Sequence, residues 1–258
     1  MKHSIWKSSF ITFITVAVLL AAWHFGAVIM DASIILPAPK EVLKTFLALF
    51  GEPSFYRDVA ATVLRALRSF FIIVISALAL GLLSGNNRIV GPMLSPFLAV
   101  IKATPVMAII LIAFIWFRSG TVPVFAAFLM GFPVLYQNLV IGMEKRDRHL
   151  LEMGSIYGLN HAQMLRYITI PSLLPYILGG AKGALGMTWK VVIAGEILTV
   201  PKQGIGSSMQ FAQLNLETSE VMAWTVVAII LTAASDGLFT GLVWFFSQRK
   251  LSRGSAAL

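Results

Sequence analysis

Four side chains carry polar groups into one apolar run of this chain, 176–198. Lys182, Trp189 and Glu196 recur every seven residues, so on a helix they fall nearly along one stripe, and Lys190 stands beside Trp189. A charge held in lipid at the centre of a spanning helix costs about 2.5–3.5 kcal/mol or more, so each ionisable residue here is a functional candidate by default. The stripe is expected to face a subunit interface or a wet pathway, with Lys182, Trp189, Lys190 and Glu196 as its candidate lining. The competing reading has Lys182 snorkelling towards one interface and Glu196 reaching the other. Gly179 and Gly183 form a GxxxG step that Gly186 extends, a pattern that lets another helix approach closely.

No enzyme chemistry emerges. Asp236 and Glu196 do not form a recognisable acid–base pair, and no HExxH-type metal site occurs. The nearest approach to a phosphate-binding loop, Gly180-Ala181-Lys182-Gly183, has Gly where Ser or Thr belongs. Cysteine is absent, which removes disulfides, thiolate nucleophiles and cysteine metal sites. The chain is therefore not expected to hydrolyse ATP itself.

The elements that position these residues are membrane helices. A chain of 258 residues with 58% hydrophobic and 12% charged residues is not an ordinary soluble globule. Its apolar runs predict an all-α polytopic protein with six spans, about 10–30, 60–83, 97–117, 122–141, 176–198 and 221–246. The first is too long, and lacks a clear small-residue cleavage site, for a removable signal. His24 lies late in it and is read as an interfacial or satisfied histidine. Between the first two spans, Leu36-Pro37-Ala38-Pro39 breaks the chain and Lys40–Phe50 has the pattern of a short surface helix. A turn is expected over Gly85–Gly91, Lys102 and Pro105 fall in the first turns of the third span, and Gly131 with Pro133 suggests a kink in the fourth. Residues 199–220 are read as a polar external segment.

The net charge of +9 is scattered between spans, which argues against nucleic acid as a partner. With both termini in the cytoplasm, Lys2, Lys7, Arg88, Lys145, Arg146, Arg148, Arg166, Arg249, Lys250 and Arg253 fall inside. Lys40, Lys44, Arg57, Arg118 and Lys202 fall outside, an excess of the sign expected for this orientation. In this assignment the positive charges of 31–68 all fall outside or in the membrane.

The longest polar interval, Glu152–Pro171, follows a charged lead-in from Glu144 to Arg148. Leu150, Leu151, Met153, Ile156 and Tyr157 give a short helix an apolar stripe, and Gly158 is suited to end it in the left-handed conformation. Asn160 is placed to cap a second short helix with Gln163 three residues on, and Pro171 starts the next element. Glu152, Gly158, Ile168 and Pro171 resemble the EAA loop of ABC importer permeases: Glu-Ala-Ala, three residues, Gly, nine residues, Ile-x-Leu-Pro. Here Met153 and Gly154 replace the alanines and Ile170 the leucine, and Gly154 weakens the helix most, by roughly 1 kcal/mol against alanine.

The stretch from Trp189 to Glu196, with Gly204-Ile205-Gly206, Leu36-Pro37-Ala38-Pro39 and Ala223-Trp224-Thr225, resembles the branch of these permeases that serves nitrate, sulfonate, taurine and related solutes. The resemblance runs from about Leu36 to Phe246. It implies a single transmembrane permease domain of the type I ABC importer fold, with a cytoplasmic coupling loop at about 143–172, in a bacterial inner membrane. It implies a homodimer with two ABC ATPase subunits, fed by a periplasmic or lipid-anchored substrate-binding protein. ATP and Mg would sit on the ATPase, with no cofactor in this chain. The other reading of the intramembrane charges is a secondary transporter driven by an ion gradient, although no inverted repeat is evident.

Overall fold

The computed structural model describes residues 2–254, with side chains described over 10–245. All regular structure among the described residues is helical. In order come α1 (Lys2–Met30), α2 (Pro39–Leu49), α3 (Pro53–Asn86), α4 (Val90–Ala103), α5 (Val106–Trp116), α6 (Val122–Glu144), α7 (Arg148–Ile156), α8 (His161–Met164), a π-helical turn (Leu165–Thr169), α9 (Ile170–Thr199), α10 (Ile205–Leu214) and α11 (Thr218–Gly254). Proline in the first turn starts α2, α3, α6 and α9, where its missing N–H has no helical acceptor to lose.

Among the described residues, four helices are long and apolar enough to cross a membrane: Phe10–Met30 of α1, α3, α6 and Thr218–Phe245 of α11. The expected third span is not one straight helix. It breaks into α4 and α5, bent by 104°. Thr104, before Pro105, takes an extended conformation with ψ 127°, because the proline ring disfavours the helical conformation of the residue preceding it. Counted together, the bent pair makes a fifth candidate crossing. The fifth expected span, 176–198, corresponds to α9, whose 30 residues reach about 45 Å at the helical rise. Its charges and glycines dilute its hydropathy.

The core lies where α3, α6 and α9 meet. One cluster joins Ala66, Ile110, Val122, Ala126, Trp189 and Val192; another joins Ile73, Ala77, Leu135, Leu139, Ala181 and Ala184. α6 runs unbroken through Gly131 and Pro133. At one end a third cluster packs Leu49, Phe55, Ile205, Trp224 and Val227, with Phe55 stacked on Trp224 at 5.4 Å between ring centroids. The polar segment 199–220 is accordingly not an open loop. It contains α10, which folds back against α9 and α11 and buries Ile205, Gly206, Ser207 and Ala212. The turn expected over Gly85–Gly91 is shorter, since α3 runs to Asn86 and α4 begins at Val90.

The α6–α9 contact is close because a glycine sits in it, though not the one the GxxxG spacing picks out. A Cβ on Gly180 would lie 2.8 Å from Asn138 Cβ and 2.9 Å from Leu135 Cδ1, whereas one on Gly179 or Gly186 meets nothing within 4 Å. Gly183 is intermediate, 3.2 Å from Val134 Cγ1. Replacing glycine by alanine inside a helix favours the helix by about 1 kcal/mol, while forcing atoms into a packed contact costs about 1–3 kcal/mol. Gly179→Ala should therefore raise the thermal unfolding temperature of the purified protein slightly and Gly180→Ala should lower it. Equal shifts for the two would show that the α6–α9 contact is not tight at Gly180.

Candidate coupling loop, ion-pair network and cleft

The segment from Lys145 to Pro171 folds from its own local signals. Asp147 caps α7 by accepting from the His149 amide at 2.8 Å. Gly158 ends it with φ +68°, and Leu159 N donates back to Gly154 O at 3.0 Å, closing the last turn. Asn160 and Gln163 form the reciprocal capping box of α8, each side chain accepting from the other's backbone N–H at 2.9 Å.

Gly154, one of the departures from the alanine pattern, is buried under the returning chain. A Cβ there would lie 2.8 Å from Ile168 Cδ1 and 2.9 Å from Met164 Sδ, so the loop closes on itself only with glycine at this position unless those chains shift. Ile168 is half-buried at that contact, whereas Glu152 is exposed, 4.0 Å from His149 Nδ1. Met153, Ile156 and Tyr157 present an exposed apolar surface, with Ile156 84% and Tyr157 79% exposed. Ile170 and Pro171 are also exposed, at the start of α9.

Arg146 fastens this loop to the bundle. Its Nε donates to Met143 O at 2.9 Å and its Nη2 to Gly85 O at 3.3 Å. The second acceptor belongs to the last turn of α3, where carbonyls lack helical donors and a cation suits the helix dipole. Partial burial pushes the Arg146 guanidinium down from its ordinary value.

At the other end of α3 lies a buried polar network. Glu196 is fully buried, and its Oε1 accepts from Arg65 Nη1 at 2.6 Å. Its Oε2 accepts from Thr62 Oγ1 at 2.8 Å and from the Gly206 amide at 3.0 Å. Thr62 Oγ1 in turn accepts from the Ile205 amide at 2.9 Å, while Asp58 accepts from the Gly204 amide at 3.1 Å and Ser208 Oγ at 2.9 Å. The otherwise orphaned first amides of α10 thus find acceptors on α3 and α9, with a carboxylate at the positive end of the helix dipole. Residues 58–65 therefore share one end of the molecule with 199–208. In sequence Arg65 falls in the expected span 60–83 and Glu196 in 176–198, with nothing to pair them. Two opposite charges, each expensive alone in an apolar segment, were the available signal.

The predicted stripe is divided by the packing. Glu196 is closed into this network and Trp189 is 4% exposed within the core, its Nε1 without a hydrogen-bond partner. Lys182 is half-exposed, 3.3 Å from Asp236 Oδ2 and 3.2 Å from Thr240 Oγ1. Lys190 is exposed and lines a cleft of about 650 Å³ between α9, α10 and α11.

Removing one member of a buried ion pair strands the other and costs about 3–5 kcal/mol, whereas removing both costs less than the two losses added together. Glu196→Gln should consequently lower the unfolding temperature strongly, and Arg65→Gln/Glu196→Gln should recover part of the loss. Additive losses in a thermal-unfolding cycle would refute a coupled pair.

A family model described as "Binding-protein-dependent transport system inner membrane component" matches residues 77–252. The taurine transport system permease protein TauC of Escherichia coli K12 is 28% identical over 232 residues, covering 87% of this chain and 84% of that one. The riboflavin transport system permease protein RibX of Chloroflexus aurantiacus is 29% identical over 220 residues, covering 84% and 82%. A solved structure described as an amino acid ABC transporter with histidines superposes with a TM-score of 0.56 over 80% of this chain and 94% of that one, at 16% identity, a likeness of fold. These permeases are multi-pass inner membrane subunits of ABC importers for small solutes, without a cofactor and without ATP hydrolysis of their own. Since the matched segment is more than half of the 258 residues, the chain belongs to the binding-protein-dependent transport system inner membrane component family.

Proposed function

We propose that two copies of this chain form the translocation path of a bacterial importer, each docking one copy of an ABC ATPase through the loop at 143–172. A substrate-binding protein, periplasmic or lipid-anchored, delivers the solute at the α10 end. ATP binding draws the two loops together and rocks the helices, so that the path opens to alternate sides. Both termini and the loop lie in the cytoplasm. The observation that carries this reading is the exposed apolar face of α7, where Met153, Ile156 and Tyr157 surround the left-handed turn at Gly158. Exposed apolar patches of this kind on an otherwise polar segment mark protein interfaces. Lys190 and the cleft it lines are the part of the path this chain contributes. Solutes such as taurine, named for one relative, are the first cargoes to try.

Gly158 offers a selective test. Nothing in the chain lies within 4 Å of a Cβ placed there, so a substitution meets no intramolecular clash. The left-handed backbone costs an ordinary residue about 1–2 kcal/mol. Gly158→Asp should leave a protein that inserts and dimerises but fails to couple: ATP hydrolysis by the assembled complex should no longer rise when loaded binding protein is added. Wild-type stimulation would remove the loop from the coupling role, and solute uptake without any ATPase would remove the importer reading.

The orientation is checked separately. The chain has no cysteine, so single cysteines at 146 and 202 report without background. In intact cells a membrane-impermeant maleimide should label 202 and spare 146; the reverse pattern would invert the topology.

A further inference from the structure

We infer that the groove between segment 31–38, α2 and the turn joining α10 to α11 seats a projection of the substrate-binding protein, an apolar side chain flanked by lysine or arginine. The inference rests on the permease reading and deepens it by giving the outer docking surface a place and a chemistry. The groove is lined by Ile34 and Pro37, by Glu41 and Lys44 of α2, and by Leu216 and Glu217. Thr218 Oγ1 donates to Ile34 O, which ties the start of α11 to segment 31–38. The groove's volume of about 270 Å³ falls below the range of small-molecule sites, roughly 300–1,000 Å³. That is a size for a partner's side chain rather than for a solute.

The turn that ends α10 departs from what its backbone prefers. Leu216 N donates to Gln213 O at 3.1 Å and Glu217 N to Ala212 O at 2.9 Å, the pair of bonds that closes a helix on a left-handed residue. Glycine or asparagine suits that residue; here it is Leu216, with φ +60°. The residue after it commonly packs an apolar side chain back on the helix; here it is Glu217, exposed. Leu216 buries little inside the chain in return, being 67% exposed, and Ile34 and Ile35 are exposed as well. An apolar side chain held outward in a conformation that disfavours it finds its use in contact with another molecule.

The charges around it specify that molecule. Glu41 and Glu217 share the groove with one lysine, Lys44, and neither carboxylate has an ion-pair partner among the described residues. Glu52 and Glu217 both act on Glu220, which adds to the negative potential at this end. A surface buried in lipid would not carry this charge, and a contact between two such grooves would oppose like charges. An apolar centre with a charged rim is the anatomy of a protein interface, and lysine or arginine on the partner complements this rim.

The test uses the permease purified with its ATPase in nanodiscs of phosphatidylcholine, and the binding protein that raises its ATP hydrolysis when loaded with solute. Hydrolysis is followed against binding-protein concentration. Leu216→Gly should raise the half-saturating concentration at least about fivefold and leave the rate at saturation unchanged, because docking is weakened and later steps are not. Its unfolding temperature should stay level or rise, since glycine accepts the left-handed turn. Leu216→Met keeps an apolar side chain of similar size and should stay within about twofold of wild type. Glu217→Gln should raise the half-saturating concentration about threefold and flatten its rise with salt between about 50 and 300 mM.

An unchanged half-saturating concentration in Leu216→Gly would overturn the docking seat. So would a loss accompanied by a lower unfolding temperature, which marks a structural residue. Equal salt dependence in Glu217→Gln and wild type would remove the basic flank from the partner. Leu216→Cys introduces the one cysteine of the chain, and a maleimide dye should label it in the free complex but not once loaded binding protein is added. Labelling that binding protein leaves unchanged would place docking elsewhere. No labelling at all would assign the surface to lipid, and a disulfide between two copies would assign it to a subunit contact. Loaded binding protein that stimulates the wild-type complex and both variants alike leaves the permease reading standing and only this inference lost. A wild-type complex that no loaded binding protein stimulates would remove both.

Discussion

The Arg65–Glu196 pair is the contact on which the arrangement of one end of the molecule depends. A carboxylate this deep in an apolar bundle requires a counter-ion and donors for its remaining lone pairs, and the chain supplies them from three elements: Arg65 and Thr62 on α3 and the Gly206 amide at the start of α10. Satisfying the carboxylate therefore orients α3 against α9 and turns α10 back into the bundle. The same contacts satisfy amides that a helix N-terminus leaves open. One polar requirement thereby determines how the segment after α9 folds, and the aromatic cluster of Phe55 and Trp224 closes apolar surface around that end.

α3 connects this end to the loop proposed to dock the ATPase. From Arg65 to Gly85 its length is about 30 Å at the helical rise, close to the hydrocarbon thickness of a bilayer. At its final turn Gly85 O receives Arg146, two residues before α7. The loop is thus tied to a helix that crosses the bundle and carries the ion-pair network at its far end. A displacement of α7 by a partner has a continuous, hydrogen-bonded element on which to act.

The central helix α9 shows why hydropathy and burial diverge in this chain. Packed along α6 and against α3, α10 and α11, it need not be apolar on every face, and its polar residues have three different fates. Glu196 is internal and paired, Lys182 meets Asp236 of α11, and Lys190 opens into a cleft. Equal sequence spacing placed Lys182, Trp189 and Glu196 on one stripe, but a stripe along a helix with several neighbours crosses several environments along its length.

What the sequence determined by itself was everything with a local cause. Apolar runs of spanning length identify helices, the Asn160–Gln163 pair specifies its capping box, and Gly158 specifies a left-handed turn, because each depends on residues within a few positions of one another. The EAA-like spacing was legible for the same reason, and it pointed to the family that the chain belongs to. The tertiary structure alone decided the partners that are far apart in the chain. Arg65 lies 131 positions from Glu196, and nothing in the spacing of either links them. Gly180 rather than Gly179 meets α6, because the helix rotation that selects between neighbours is set by packing. Residues 205–214 look polar enough for a loop, yet form a helix whose first turn is buried, because Glu196, Thr62 and Asp58 supply the acceptors that turn needs. Long-range polar satisfaction has no period in sequence, and that is why it became visible only once the helices were packed.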